Sequence, residues 1–433
     1  MSPIEAFVIA SKPAAHFGAG AIVQLPALVR ATGADQVVVV TDAALASTPV
    51  IATVQAVLAD AGIPARLFAG VHPNHTTDDL AAGAAAVAQA AAATAAAEAA
   101  AAEAAAVAAT LKASAPLTAP AAPLAAHSVP PAPAVLRIAL VAVGGGSPID
   151  AAKGIALAAV NPQRGRDLDH RGSLAMPALP IVAVPTTAGT GSETNAIGSV
   201  TDPADRRMFY VGNASSMPAA AILDPALTVD LPPALTAATG LDALTQALES
   251  YLSARPNPWS DGISLQAIRM IAAGLPRAYA DGADLAARSQ MLLAAHMAGV
   301  AMFDTGLGLC HAIAHSLRAR WDIAHGVALA MLLPGVLRFS LPARTQRLAE
   351  VAFALGAGDT HAGDRRNAEA AIGAVTELRD KVGLNGLIGE FGVTEADFGQ
   401  ITADALDDEV LANAPRQPAG DDIRAILLAC AGH

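Results

Sequence analysis

Basic charge is scarce in this chain. Its 433 residues carry 26 Lys and Arg against 38 Asp and Glu, a net charge of −12. Nucleic acid is held by clustered cations, so that balance excludes it as a partner. A nucleotide cofactor is not excluded, because backbone N–H groups can hold its phosphates. Cysteine is scarcer still, with only Cys310 and Cys430. Two thiols make no disulfide framework, and a reducing cytoplasm is the expected compartment. The chain also lacks a run of about 18 strongly apolar residues, so no membrane partner is expected. The hydrophobic share is 54%, but much of it is Ala. The opening MSPIEAFVIASKP has neither the basic start nor the apolar core of a signal peptide.

The length suits two domains packed together. Residues 36–41 (QVVVVT), 137–143 (RIALVAV) and 180–184 (PIVAV) are β-branched runs typical of buried parallel strands. Residues 50–61 lie between the first two runs and read as a helix. Strands alternating with helices predict a doubly wound parallel sheet. Beyond about residue 230 strand-like runs vanish. Helical periodicity takes over, for example over 261–275 and 284–302. The expected architecture is an α/β, Rossmann-like dinucleotide-binding domain over 1–229 followed by an all-α domain over 230–433.

One segment fits neither half. Thr76 and Asp79 are spaced as a helix-capping pair, and Ala, the best helix former, continues that helix to about Leu111. Six prolines between Pro116 and Pro133 then exclude helix and central strand. Residues 81–134 are expected to be a tolerated low-complexity surface insert.

Two polar loops follow predicted strands. Gly144, Gly145, Gly146 and Ser147 close one strand and open a helix bearing Asp150 and Lys153. Glycines let backbone approach a ligand closely, and a helix N-terminus offers free N–H groups to a pyrophosphate. The motif is neither GxGxxG nor GxxxxGK[ST]. The second loop, PTTAGTGSE from Pro185 to Glu193, lies at the end of the next strand, so both loops edge one crevice. Asp42, ending the first strand, is placed to bond a ribose diol and to repel a 2′-phosphate, favouring NAD over NADP. The alternative is a helix cap.

The helical half concentrates metal-ligating residue types. Asp242 and Gln246 are four apart on one helix face, and His311 and His315 are four apart on another. His325 follows. On one straight helix His311 and His325 would stand about 21 Å apart, so the chain must turn between them. Residues 316–323 are polar enough for that turn. An acid plus three histidines within fifteen positions points to a divalent metal, with the choice among the three histidines open. His296, in an apolar helix, reads as core or as a residue behind the ligands.

In order, GGGSPIDAAK, PTTAGTGSET, ILDPALT, TGLDAL and GLGLCHAIAH…HG resemble the iron-containing (group III) alcohol dehydrogenase family, from about Phe17 to at least Phe339. The resemblance implies an NAD(P)-binding domain, a helical domain and a divalent metal at the cleft, iron first and zinc second. It puts the ribose-binding acid on Asp42 and the phosphate loop on Gly144 to Ser147 with Asp150. It puts the second cofactor loop on Thr186, Thr187 and Thr190, with Asn195 behind. It puts the metal ligands on Asp242, His311 and His325, and the histidine beside the substrate on His315. Gln246 stands where the family has a further ligand histidine. Met208 stands where the family commonly has a cofactor-contacting lysine, with Arg207 next door as the residue that would substitute for it. Arg318 stands where the family has glycine, and it would reshape the pocket or pair with an acidic substrate.

The activity implied is reversible hydride transfer between NAD and a small alcohol or aldehyde. The metal acts as Lewis acid and His315 moves the proton. A homodimer or larger homo-oligomer is expected. The alternatives are a metal-independent carbonyl reductase, a dehydroquinate-synthase-like lyase that uses NAD transiently, and a catalytically dead binding protein.

Overall fold

The computed structural model describes Ile9, residues 12–113 and residues 137–431. The N-terminal half is built on six parallel strands: β1 (Ala14–Phe17), β2 (Gln36–Asp42), β3 (Ala65–Val71), β4 (Ile138–Gly144), β5 (Ile181–Pro185) and, after a hairpin, β8 (Ala220–Leu223). Their spatial order is β1-β8-β5-β4-β2-β3. β2 and β4 are wholly buried apart from Asp42 at one end, which is why they read as continuous apolar runs. β1, with exposed residues at an edge, gave no such signal.

Helices α1 (Leu25–Ala31), α2 (Ala43–Ala46) and α3 (Pro49–Asp60) precede β3, and α4 (Thr77–Ala113) follows it. Helix α5 (Gly146–Ala158) leaves the end of β4 and is buried along nearly its whole length. From β2 the chain goes outward to β3, and from β4 it goes the other way to β5. The C-terminal ends of β2 and β4 therefore flank the switch point, where α/β sheets bind ligands. The antiparallel hairpin of β6 (Gly198–Asp202) and β7 (Arg207–Val211) lies outside the main sheet.

The segment expected to be a surface insert is corrected over its first third. Leu80, Ala84, Val87 and Ala90 recur at helical spacing along one buried face of α4. That face meets α5 with no room to spare: a Cβ on Gly83 would lie 2.3 Å from Ile155, and one on Gly154 would lie 2.6 Å from Leu80. Thr94 still bonds Gln36, and Glu98 pairs with Arg137 at the start of the next strand. After Thr94 every residue of α4 whose burial is described is exposed. The Pro-rich continuation expected as a linker lies outside the described residues.

The C-terminal half is helical: α6 (Pro233–Leu252), α7 (Pro258–Ala280), α8 (Leu285–Thr305), α9 (Leu309–Trp321), α10 (His325–Ala354), α11 (Asp364–Lys381), α12 (Phe398–Asp407) and α13 (Gly420–Ala431), around one apolar core. Residues 316–321, expected in the turn after His315, are instead the end of α9. Ser316 and Arg320 bond Asp404. The chain reverses in three residues from Asp322, which takes a left-handed φ of 56°. By length and composition alone α4 and α10 are each apolar enough to cross a membrane, which corrects the sequence reading. The apolar residues of α10 are spent on the bundle core.

Candidate active site

The sheet-side wall is two loops held against each other. Gly144 has φ 146°, a conformation other residues rarely take, and a Cβ there would strike Pro148 at 2.6 Å. Its carbonyl accepts from Thr186 N at 2.9 Å. Cβ atoms on Gly145 and Gly146 would meet Thr187 at 3.2 Å and Thr190 at 2.6 Å. The two loops therefore run as facing backbones, with the N-terminus of α5 between them. Gly191 brings the second loop onto the helical half, where an added Cβ would lie 2.6 Å from Gly299.

Asp150 and Asn195 tie this wall together. Lys153, fully buried, donates to Asp150 Oδ1 at 3.2 Å, to Asn195 Oδ1 at 3.2 Å and to the Ile197 carbonyl at 2.8 Å. Asp150 Oδ2 accepts from Ser199 N and Oγ. Asp42 lies at the same sheet edge. Its Oδ1 accepts from Leu45 N at 2.8 Å, so it caps α2. Arg207 points away, to Asp407 on the outer surface, and Met208 lines the same outer pocket. Neither lines the cleft.

The cleft between the halves has a volume of about 860 Å³, ample for a ligand of drug size. Gly146, Ser147, Asp150, Thr190 and Asn195 line one side, and Asp242, Gln246, His311, His315 and His325 line the other.

On the helical side, ligand atoms of Asp242, His311 and His325 all lie within 4.8 Å of one another. Sequence reasoning missed the residue that organises them. Glu249 sits seven residues after Asp242, on the same face of α6. Its carboxylate accepts from Gly308 N at 2.9 Å, from Cys310 N at 2.7 Å and from His311 Nδ1 at 2.6 Å. It thus caps α9 and fixes the His311 ring together, a favoured place for an anion. The i, i+4, i+7 spacing of Asp242, Gln246 and Glu249 was the available signal.

With Nδ1 so held, His311 Nε2 is buried without a hydrogen bond, 3.6 Å from Asp242 Oδ1. Burial lowers the His311 pKa, but Glu249 and then Asp242 outweigh it and push it up to about 9. A divalent cation would take the place of that proton. His325 is driven well below the ordinary histidine value by burial, then by His311 and His315. It is therefore neutral, as a ligand must be. Gln246 Nε2 donates to Asp242 Oδ1 at 2.9 Å, and its buried Oε1 has no partner. Ligand atoms of Asp242, His311 and His325 brought together from three helices, with His311 Nε2 unpartnered among them, fit a cation.

His315 stacks on His325 at 5.5 Å between ring centroids. Its Nδ1 contacts Asp408 Oδ2 at 2.7 Å, and Tyr210 Oη donates to Asp408 Oδ1 at 3.1 Å. Burial works to raise Asp408, but His315 outweighs it and the carboxyl stays below its usual range. Asp408 comes from the far end of the helical half, and no local spacing announced it. His296, read as core or as a residue behind the ligands, pairs with Glu193 at 2.9 Å.

A parallel α/β half with two glycine loops, facing a helical half with a carboxylate–imidazole cluster, defines a two-domain cleft oxidoreductase. The chain belongs to the iron-containing alcohol dehydrogenase family and interconverts alcohols and carbonyl compounds. The family profile described as iron-containing alcohol dehydrogenase matches residues 13–113 and 138–225, and the profile for the C-terminal part of the same family matches 236–431. An NAD-dependent methanol dehydrogenase of Bacillus methanolicus is 32% identical over 96% of this chain and 97% of its own. The probable alcohol dehydrogenase EutG of Escherichia coli K12 is 44% identical over 64% of this chain and 69% of its own. A solved 1,3-propanediol oxidoreductase superposes with a TM-score of 0.84 at 32% identity, over 98% of this chain and 100% of that one.

Proposed function

We propose that the protein is an NAD-dependent, metal-dependent dehydrogenase of a small alcohol, working reversibly with its aldehyde. The dinucleotide would lie on residues 1–229 and the metal on residues 230–433. The reading is carried by His311 Nε2, buried, unpartnered and facing Asp242 and His325, while Glu249 holds the opposite ring nitrogen. Carboxylate–histidine pairing of this kind orients metal ligands.

Asp242, His311 and His325 would hold a divalent cation, iron first and zinc second, with Gln246 Oε1 as a fourth, weaker donor. The pyrophosphate of NAD would lie over Gly144, Gly145, Gly146 and Ser147, faced by Thr186, Thr187 and Thr190. Asp42 would take its ribose diol. When bound, the cation supplies Lewis acidity at the alcohol oxygen and the nicotinamide supplies the hydride acceptor. Glu249 keeps the proton on His311 Nδ1 and so presents the Nε2 lone pair. Asp408 holds His315 by Nδ1, leaving Nε2 to take a proton from, or return one to, the substrate oxygen. Lys153, through Asp150 and Asn195, keeps both loops in register. The buried, free Cys310 and Cys430 support a cytoplasmic setting.

The test is elemental analysis of purified protein beside rates on a panel of alcohols with NAD and aldehydes with NADH, before and after chelation. One bound divalent ion whose removal abolishes turnover is expected. Full activity in metal-free protein would favour a second reading, metal-independent carbonyl reduction, which the Gln246–Asp242 hydrogen bond favours.

A further inference from the structure

Two arginines are buried in the helical half, and they are satisfied differently. Arg288, 3% exposed, donates through every guanidinium nitrogen, to the carbonyls of Gly282, Val229 and Leu231 and to Thr236 Oγ1. It is a strut. Arg318, 8% exposed, lies in the cleft wall one turn beyond His315 on α9. Its Nε donates to Asn74 Oδ1 at 2.7 Å and its Nη1 to Ser199 Oγ at 3.1 Å. Among the described residues no carboxylate reaches it at ion-pair distance, and its Nη2 makes no hydrogen bond. That nitrogen is not sealed in protein either, so it faces the cleft.

The guanidinium is held in place by strained backbone. Asn74 and Asp322 are two of the three described non-glycine residues with positive φ, 54° and 56°. Asn74 accepts from Arg318 through one side-chain atom and donates to Asp322 through the other. Strain held this way clusters at functional sites. The nearby carboxylates are otherwise engaged, Asp322 by Asn74, and Asp150 by Lys153 and Ser199.

A histidine adjoins it. His75 also lines the cleft and is 0% exposed, with no side-chain partner on either ring nitrogen and the Ser199 backbone beside it. Burial, then Arg318, lowers its pKa to about 4, so at neutral pH it is an uncharged ring with one N–H to donate. Arg318 is thus a buried cation with no counter-charge and one unpaired N–H group, a costly arrangement unless a ligand completes it.

We infer that Arg318 forms an anion-holding pole of the substrate pocket, and that the substrate is a short aldehyde or alcohol carrying a carboxylate a few carbons from the reacting carbon. This rests on the dehydrogenase reading above. Arg318 and His311 are seven residues apart on α9, about 10 Å along its axis, which leaves room for a short chain between pole and cluster. The carboxylate takes no part in the exchange. In the reducing direction the carbonyl carbon gains hydride from NADH, its oxygen gains a proton, and the nicotinamide is oxidised. The guanidinium selects and orients, since a planar fork suits a carboxylate.

The experiment compares 4-oxobutanoate with butanal, matched in length, using metal-loaded enzyme and NADH. The wild type should favour 4-oxobutanoate by 30-fold or more in kcat/KM. Arg318→Gln should collapse that ratio toward one, chiefly through KM, and Arg318→Lys should keep part of it. Calorimetry with 4-hydroxybutanoate, against butan-1-ol, reads the pole without turnover and should show binding in wild type that Arg318→Gln loses. A wild type that reduces both aldehydes equally well would overturn the pole and leave the dehydrogenase reading standing. A wild type that binds 4-hydroxybutanoate through Arg318 yet turns over neither aldehyde would do the reverse. Loss of NADH affinity in Arg318→Gln as large as the loss for 4-oxobutanoate would reassign the arginine to the cofactor and sink the proposal.

Discussion

Along the sheet edge the cleft is lined from two short stretches of sequence, Gly146 and Ser147 in one loop and Thr190, Ser192 and Asn195 in the other. On the helical side it is lined by residues drawn from positions as far apart as Asp242 and Asn413. The first wall works by what it omits, because Cβ atoms there would fall on the facing loop. The second works by relays in which one residue holds another: Glu249 on His311, Asp408 on His315, Asn74 on Arg318. The sheet wall should therefore fail when bulk is added. The helical wall should fail when a hydrogen-bonding atom is exchanged and bulk is unchanged.

The largest effect is expected on the sheet wall. Gly145→Val puts a branched side chain against Thr187, where even a Cβ comes within 3.2 Å, and closes the gap between the loops. NADH affinity should fall by at least about 100-fold, roughly 2.7 kcal/mol, with the circular dichroism spectrum retained. Calorimetric titration with NADH decides it, and unchanged affinity would remove this loop from the site.

Next comes the helical wall. Glu249→Gln keeps shape but replaces the acceptor of Cys310 N, Gly308 N and His311 Nδ1 with a neutral amide. Loss of a residue behind a metal ligand costs about 10- to 100-fold in metal affinity. Competition with a fluorescent chelator should show that loss even though Glu249 is not itself a ligand. Retention equal to wild type would show that His311 needs no such support.

Asp42 tests whether a side chain on the sheet wall can matter as those on the helical wall do. Its Oδ1 caps α2 through Leu45 N, so the cap reading of the sequence describes one of its oxygens. Asp42→Gly should relax the preference for NAD over NADP by about 10- to 100-fold, roughly 1.4–3 kcal/mol. A wild type already indifferent to the 2′-phosphate would leave Asp42 as a cap and nothing more.

The contrast also explains what the sequence disclosed. Strands buried on both faces are long apolar runs, and glycine loops are contiguous words, so β2, β4, β5 and both loops were legible. The edge strand β1, exposed and only four residues long, was not. Spacing brought Asp242 together with three histidines and left the choice among them open; the family resemblance put the ligands on Asp242, His311 and His325, whose ligand atoms the structure brings within 4.8 Å of one another. The bend between His311 and His325 was misplaced by several residues, because Ser316 and Arg320 bond Asp404 on a neighbouring helix while the backbone stays helical to Trp321. Glu249 left a trace in its spacing. Asp408 left none, for its partnership with His315 spans 93 residues and exists only in the folded chain.

The smallest effect should come from the segment between α4 and β4, and its limits follow from burial rather than composition. Ala90 is 7% exposed, Thr94 bonds Gln36, and Glu98 reaches Arg137. A deletion that starts at Ala90 removes all three contacts. One that starts after residue 101 removes none and need bridge only a short gap, since the Glu98–Arg137 pair already brings the two ends together. Replacing residues 102–133 with a short Gly/Ser linker should therefore leave kcat/KM within about twofold and the melting temperature within a few degrees, because closing a surface loop costs little and no cleft residue is lost. Deleting 90–132 should lower the melting temperature measurably, as the α4 face against α5 loses its last turn and the Gln36 and Arg137 partners go with it. Parallel thermal melts and rates on the two deletions separate the outcomes. Inactivity of the shorter deletion in a soluble, folded protein would mean that the exposed part of α4 or the segment after it serves the cleft or a partner.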